Sequence, residues 1–166
     1  MNKIFYLLNL LIGITLSCQA QENSLKNIIG MRFGNNYGFG LEISYQKRLS
    51  PKNRLELDFG WKNHNNTNAL KISGIYQWYW KLEKELDWFA GCGGGLGTWN
   101  TDDNYNNGYA SDNGFFLILN GDVGIEYNFK EIPIQLAIDA RPELIFNNYE
   151  KNDFGFNVGL AIRYKF

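Results

Sequence analysis

His64 is the only histidine in this 166-residue chain, and so its one side chain suited to act as a base near neutral pH. With Ser111 and Asp112 it supplies the residue types of a hydrolase or acyltransferase site, where a base takes the hydroxyl proton and a carboxylate orients the base. All three lie in polar stretches whose spacing fixes no geometry, so no catalytic residue is assigned. The run from Thr101 to Gly108 carries calcium-type oxygens but lacks Gly and Glu where an EF-hand needs them. The column Gly91, Gly93, Gly95 and Gly97 is not a phosphate loop, because its spacing is not GxGxxG and no helix follows. No cofactor or metal is expected.

A second set of chemical groups is larger and more regular. Arg32, Glu42, Glu56, Asp58, Lys71, Asp122, Glu126, Asp139, Arg141, Glu143, Arg163 and Lys165 each sit where an alternating segment turns away from its apolar face. Asp139, Arg141 and Glu143 occupy three successive positions of one such face. Charges of both signs gathered on the inside of one fold must pair, since a buried unpaired charge is costly. The bland reading is a structural plug; the functional ones are an ion path or a ligand-binding polar core.

The segments that carry these charges read as strands. The clearest is Phe154 to Phe166, where Phe154, Phe156, Val158, Leu160, Ile162, Tyr164 and Phe166 alternate with small or polar residues. The same period-two pattern recurs over Asn27–Gly34, Gly38–Leu49, Arg54–Lys62, Ala69–Trp80, Leu86–Trp99, Gly114–Phe129 and Ile134–Phe146. That makes eight segments of eight to sixteen residues, of which all but the eight-residue first reach the about 9–11 that a tilted strand needs to cross hydrocarbon. In strand seven Leu136 and Ile138 fall on the apolar side, and Ala137 faces the polar one. Pro51 and Pro133 fall in or beside turns, whereas Pro142 inside strand seven predicts a bulge. His64–Asn68 and Asn100–Asn113 read as polar loops, the second being the longest. The glycine column is expected to give a flat wall on which inward Tyr79 and Phe116 pack.

Near the N-terminus, Lys3 is followed by a mostly apolar run from Ile4 to Leu16 and then Ser17-Cys18-Gln19-Ala20. That is the layout of a cleavable export signal, so residues 1–20 are read as a signal peptide, 21–26 as a short lead and 27–166 as one barrel domain. Cleavage would leave Cys92 as the sole cysteine and rule out an intramolecular disulfide. Sixteen basic against seventeen acidic residues give no field that would attract nucleic acid. A slightly negative mean hydropathy of −0.34 does not exclude a membrane barrel, whose polar half is hidden inside. Two aromatic belts are expected at the two membrane interfaces. Tyr45, Trp78, Trp80, Trp88, Tyr127, Phe129, Tyr164 and Phe166 would form the periplasmic one. Phe33, Phe39, Phe59, Trp61, Trp99, Phe115, Phe146 and Phe154 would form the outer one.

Taken together, residues 27–166 resemble the small OmpA/OmpX-type eight-stranded outer-membrane β-barrels and the broad outer membrane β-barrel domain family. The terminal alternation of Leu160, Ile162, Tyr164 and Phe166 is similar to the signal that the barrel-assembly machinery reads. The resemblance implies an all-β, eight-stranded antiparallel up-and-down transmembrane barrel in a Gram-negative outer membrane. It also implies lipid and the assembly machinery as partners, with an extracellular partner reached through the loops. It does not imply one activity. The leading expectation is a non-enzymatic, porin-like envelope protein that stabilises the cell envelope or presents loops for surface contacts. The alternatives are a lipid-modifying enzyme using His64 and a narrow pore.

Overall fold

Alternation becomes architecture through pairing. In the computed structural model, which describes residues 27–34, 40–64, 67–105, 108–147 and 153–166 (side chains outside 64–67 and 101–112), every described strand pairs antiparallel with its sequence neighbours. The strands are β1 (Asn27–Gly34), β2 (Leu41–Arg48), β3 (Asn53–His64), β4 (Thr67–Lys81), β5 (Leu86–Tyr105), β6 (Gly108–Asn128), β7 (Ile134–Asn147) and β8 (Asp153–Lys165). β1 also pairs with β8, which closes the barrel. The closure runs to the chain end, where Asn27 and Phe166 exchange backbone hydrogen bonds of 3.0 and 2.8 Å. A closed sheet leaves no unpaired edge within its paired height, the condition a sheet must meet to stand in lipid.

Parity then sorts the side chains. The outward positions of β8, among them Phe154, Phe156, Val158, Leu160, Ile162 and Tyr164, are exposed, while Gly155, Asn157, Gly159, Ala161 and Arg163 are buried. The other strands follow the same parity, so large apolar residues cover the outside and mostly polar ones, with a smaller apolar set, fill the inside. That inversion of a water-soluble protein is stable only in hydrocarbon. Residues 1–26, read from the sequence as an export signal and lead, lie outside the described residues, as does Phe39, read as part of the outer aromatic belt.

Four expectations are corrected. First, Asn100–Asn113 is not a loop: β5 runs to Tyr105 and β6 starts at Gly108, with Tyr105 opposite Gly108. Likewise β3 and β4 pair up to His64 opposite Thr67. Above the bilayer both faces of a hairpin meet water, so the ladder continues without the alternation that marks it in lipid. Second, Pro142 causes no bulge. Asn120 pairs with Glu143 and Val123 with Ala140, so equal numbers of residues separate the two pairs on β6 and β7. On its other side Pro142 stays in register with Phe156. Gly121 makes room for the ring, since a Cβ there would lie 3.1 Å from Pro142 Cγ.

Third, Trp99 does not join the outer aromatic belt. Parity turns it inwards, where its indole lies over Gly114; a Cβ on that glycine would come within 2.5 Å of the ring. Fourth, the glycine column is only partly a platform for rings. Phe116 lies on Gly97, but Tyr79 packs with Phe89, Ala137 and Ala161. A Cβ at Gly91 or Gly95 would instead meet the β4 backbone, 2.6 Å from the carbonyl oxygen of Tyr76 or Ile72. The column therefore lets two strands approach closely.

Candidate functional site

The inward face brings the charges together in the lumen. Glu56 on β3 sits at the centre and is fully buried. Its Oε1 accepts from Arg141 Nη2 at 2.7 Å, Arg163 Nη2 at 2.8 Å and Ser44 Oγ at 3.0 Å. Its Oε2 accepts from Gln46 Nε2 at 2.7 Å and Gln77 Nε2 at 2.8 Å. Arg141 also donates through Nη1 to Asp58 Oδ2 at 2.6 Å, and its Nε lies 3.4 Å from Asp122 and 3.5 Å from Asp139. One guanidinium on β7 thus ties β3 on the opposite wall to β6.

Towards the end away from Asn27 and Phe166, Arg32 Nε donates to both oxygens of Asp139 at 2.9 and 3.0 Å, and its Nη1 reaches Glu42 at 3.3 Å. Lys71 pairs with Glu42 and lies 3.7 Å from Glu143. Towards the end where Asn27 meets Phe166, Arg54 pairs with Glu126 at 2.6 Å and stacks over the rings of Tyr79 and Phe89, 5.5 and 4.8 Å from their centroids. Those two rings with Ala137 and Ala161 form an apolar floor. Ala137 therefore faces this floor, not the polar lumen that its parity alone suggested. Lys165 points inwards but ends at the rim, where its Nζ donates to the Phe129 carbonyl at 3.1 Å.

Eleven of the twelve charges read from the sequence are buried, at 0–4% exposure, and Lys165 is the half-buried twelfth. Side chains close the lumen from wall to wall, as the diameter of an eight-stranded barrel dictates. Sequence reasoning missed Arg54, which stands at a strand start beside a turn and looks like a rim residue. It also missed the neutral linkers Gln46, Gln77 and Gln135, each at most 1% exposed. Their inward parity is the signal in the sequence, and their neutrality is what hides it.

The rim chemistry is not assembled in the same way. The ladder carries one cross-strand row through His64, Thr67, Thr101 and Asp112. His64 and Asp112 are thus three strand spacings apart, about 14 Å along the sheet. Ser111 falls in the adjoining row, opposite Asp102. The backbone register does not make neighbours of a base, a hydroxyl and a carboxylate. Leu160, Ile162, Tyr164 and Phe166 are all exposed on the outer surface.

Comparison with solved structures decides what kind of barrel this is. Neisserial surface protein A matches with a TM-score of 0.64 at 15% identity, over 86% of this chain and 96% of its own. The N-terminal β-barrel domain of Pseudomonas aeruginosa OprF matches at 0.60 and 15% identity, over 87% and 100%. The chain has the fold of the small eight-stranded outer-membrane β-barrels. Ail, the attachment invasion locus protein of Yersinia pestis, shares this barrel at a TM-score of 0.52 and 15% identity, over 88% and 100%. No protein-family model matches the chain. No curated protein matches it in sequence.

Proposed function

We propose that this is a non-enzymatic integral protein of a bacterial outer membrane, exported by residues 1–20 and inserted as a barrel over 27–166. Its lumen acts as a structural plug, and its outer hairpins serve as the surface presented to the outside. The observation that carries this reading is the wall-to-wall pairing of Arg141 with Glu56 and Asp58, together with an apolar exterior. A lumen crossed by ion pairs holds the walls together, and an eight-stranded barrel is only wide enough for side chains to fill. The exterior and the rims are then the surfaces left for recognition.

Two fold relatives support surface presentation by what they are, a neisserial surface protein and an attachment invasion locus protein. Outward Leu160, Ile162, Tyr164 and Phe166 are proposed as the stretch read by the assembly machinery. The test is fractionation. The mature protein should sediment with outer membranes, resist carbonate extraction and migrate faster on a gel when unheated. Recovery as a soluble periplasmic protein would overturn the reading.

A further inference from the structure

The ladder places four asparagines in one row on the outside of the barrel. Asn63 pairs with Asn68, Asn68 with Asn100, and Asn100 with Asn113, one on each of β3 to β6. All four are exposed and have outward parity. One outward row closer to the bilayer runs from Trp61 to Phe115, which are 45% and 43% exposed. Between the two rows lies a groove of about 760 Å³, floored by the backbone of the inward row from Lys62 to Gly114. It crosses four strands and is therefore about 14 Å long.

The groove has a definite chemistry. Each carboxamide offers two N–H donors and a carbonyl acceptor, a set that matches hydroxyl groups, which both donate and accept. Neither outward row carries a charge; Lys62, the one charged residue that lines the groove, belongs to the inward row, and the phosphatidylglycerol arm of the test below reads any selection for phosphate. Trp61 and Phe115 supply flat apolar faces along the lower edge. The asparagines stand where the apolar band gives way to polar residues, the depth of the lipid headgroups. Among the described residues, no side-chain hydrogen bond links the four carboxamides to one another.

We propose that this trench binds the neutral sugar headgroup of a glycolipid anchored in the outer leaflet. The lipid's acyl chains would run down the apolar wall below Trp61 and Phe115, and its hydroxyls would bond to the asparagine row. The inference rests on the outer-membrane reading, which fixes that end of the barrel as outward.

The test uses the mature protein in phosphatidylcholine nanodiscs doped with digalactosyldiacylglycerol or, in parallel, with phosphatidylglycerol. Lipids retained on the ejected protein are counted by native mass spectrometry. Wild type should retain the galactolipid in preference to phosphatidylglycerol. The Asn68→Leu/Asn100→Leu variant should retain about tenfold less, as expected when two sets of neutral hydrogen bonds are lost. If that variant loses its heat-dependent gel shift, Asn68→Ala and Asn113→Ala singly carry the same comparison. Equal retention by wild type and variant would overturn the site, as would equal retention of phosphatidylglycerol. Displacement by an equal concentration of free galactobiose would overturn the membrane-anchored ligand. A barrel that embeds but retains no galactolipid refutes the trench alone, whereas failure to embed refutes the membrane reading beneath it.

Discussion

Arg141 on β7 and Asp58 on β3 meet across the full width of the lumen, 2.6 Å apart and each at most 1% exposed. The two strands stand on opposite walls of an eight-stranded ring, so the pair acts as a cross-tie. Its contribution is best judged by what remains when half of it is removed. Arg141→Ala strands carboxylates in a closed interior and should destabilise the barrel by about 3–5 kcal/mol. Adding Asp58→Asn should recover part of that loss, because the two sites share one interaction. Urea unfolding in detergent measures both, and an unchanged midpoint would mean that water reaches the pair.

Glycines test how tightly the network is built. A Cβ at inward Gly159 would come within 2.6 Å of the Arg32 guanidinium, which is bonded to Asp139. Gly159→Ala should therefore cost about 1–3 kcal/mol by displacing that side chain. At outward Gly74 the nearest obstacle is Leu57 Cδ2 at 3.4 Å, an ordinary contact. Gly74→Ala should change stability by no more than about 0.5 kcal/mol. Equal effects at both positions would place Arg32 elsewhere.

The closed lumen also predicts an electrical result. In planar bilayers the protein should show no stepwise single-channel current, because the charged side chains fill the cross-section. Regular conductance steps that vanish with boiled protein would mean that the plug opens.

Much of this was legible in the sequence, and for a physical reason. Lipid outside and polar side chains inside impose strict alternation, so Phe154–Phe166 announces both its strand and its faces. The same parity places Arg141 and Glu56 in one interior without saying that they touch. That contact depends on the stagger of strands four places apart in the ring, which no single segment encodes. Where the solvent is the same on both faces the code lapses, so the paired stretches ending at Tyr105 and Gly108 carry a loop-like sequence. Pro142 misled in another way: a local rule predicted a bulge, but a facing glycine, Gly121, makes room for the ring. The asparagine row was invisible for want of register, since its members come from four different strands.

Parity in strand seven has an energetic consequence. Ile138 is 44% exposed on the outer wall, whereas Ala137 is 6% exposed against the floor formed by Tyr79, Phe89 and Ala161. Ile138→Arg should cost about 2–4 kcal/mol in lipid, the penalty for a basic side chain at mid-depth on a barrel's outer face. Ala137→Arg should also destabilise, but by crowding a filled interior, so its cost should persist when detergent replaces the bilayer. Equal sensitivity of both variants to that exchange would contradict the assignment.

The most direct measurement of the central claim, a barrel with its apolar face in lipid, is cysteine labelling from within the bilayer. Native Cys92 is exposed on the outward face of β5 and serves as the positive control. In a Cys92→Ser background, a maleimide probe dissolved in the acyl chains should label Ile138→Cys and spare Ala137→Cys. A water-soluble maleimide should label neither. Labelling of Ala137→Cys with protection of Ile138→Cys would show the strand turned inside out, and rapid labelling of Ile138→Cys from water would show that no bilayer surrounds it.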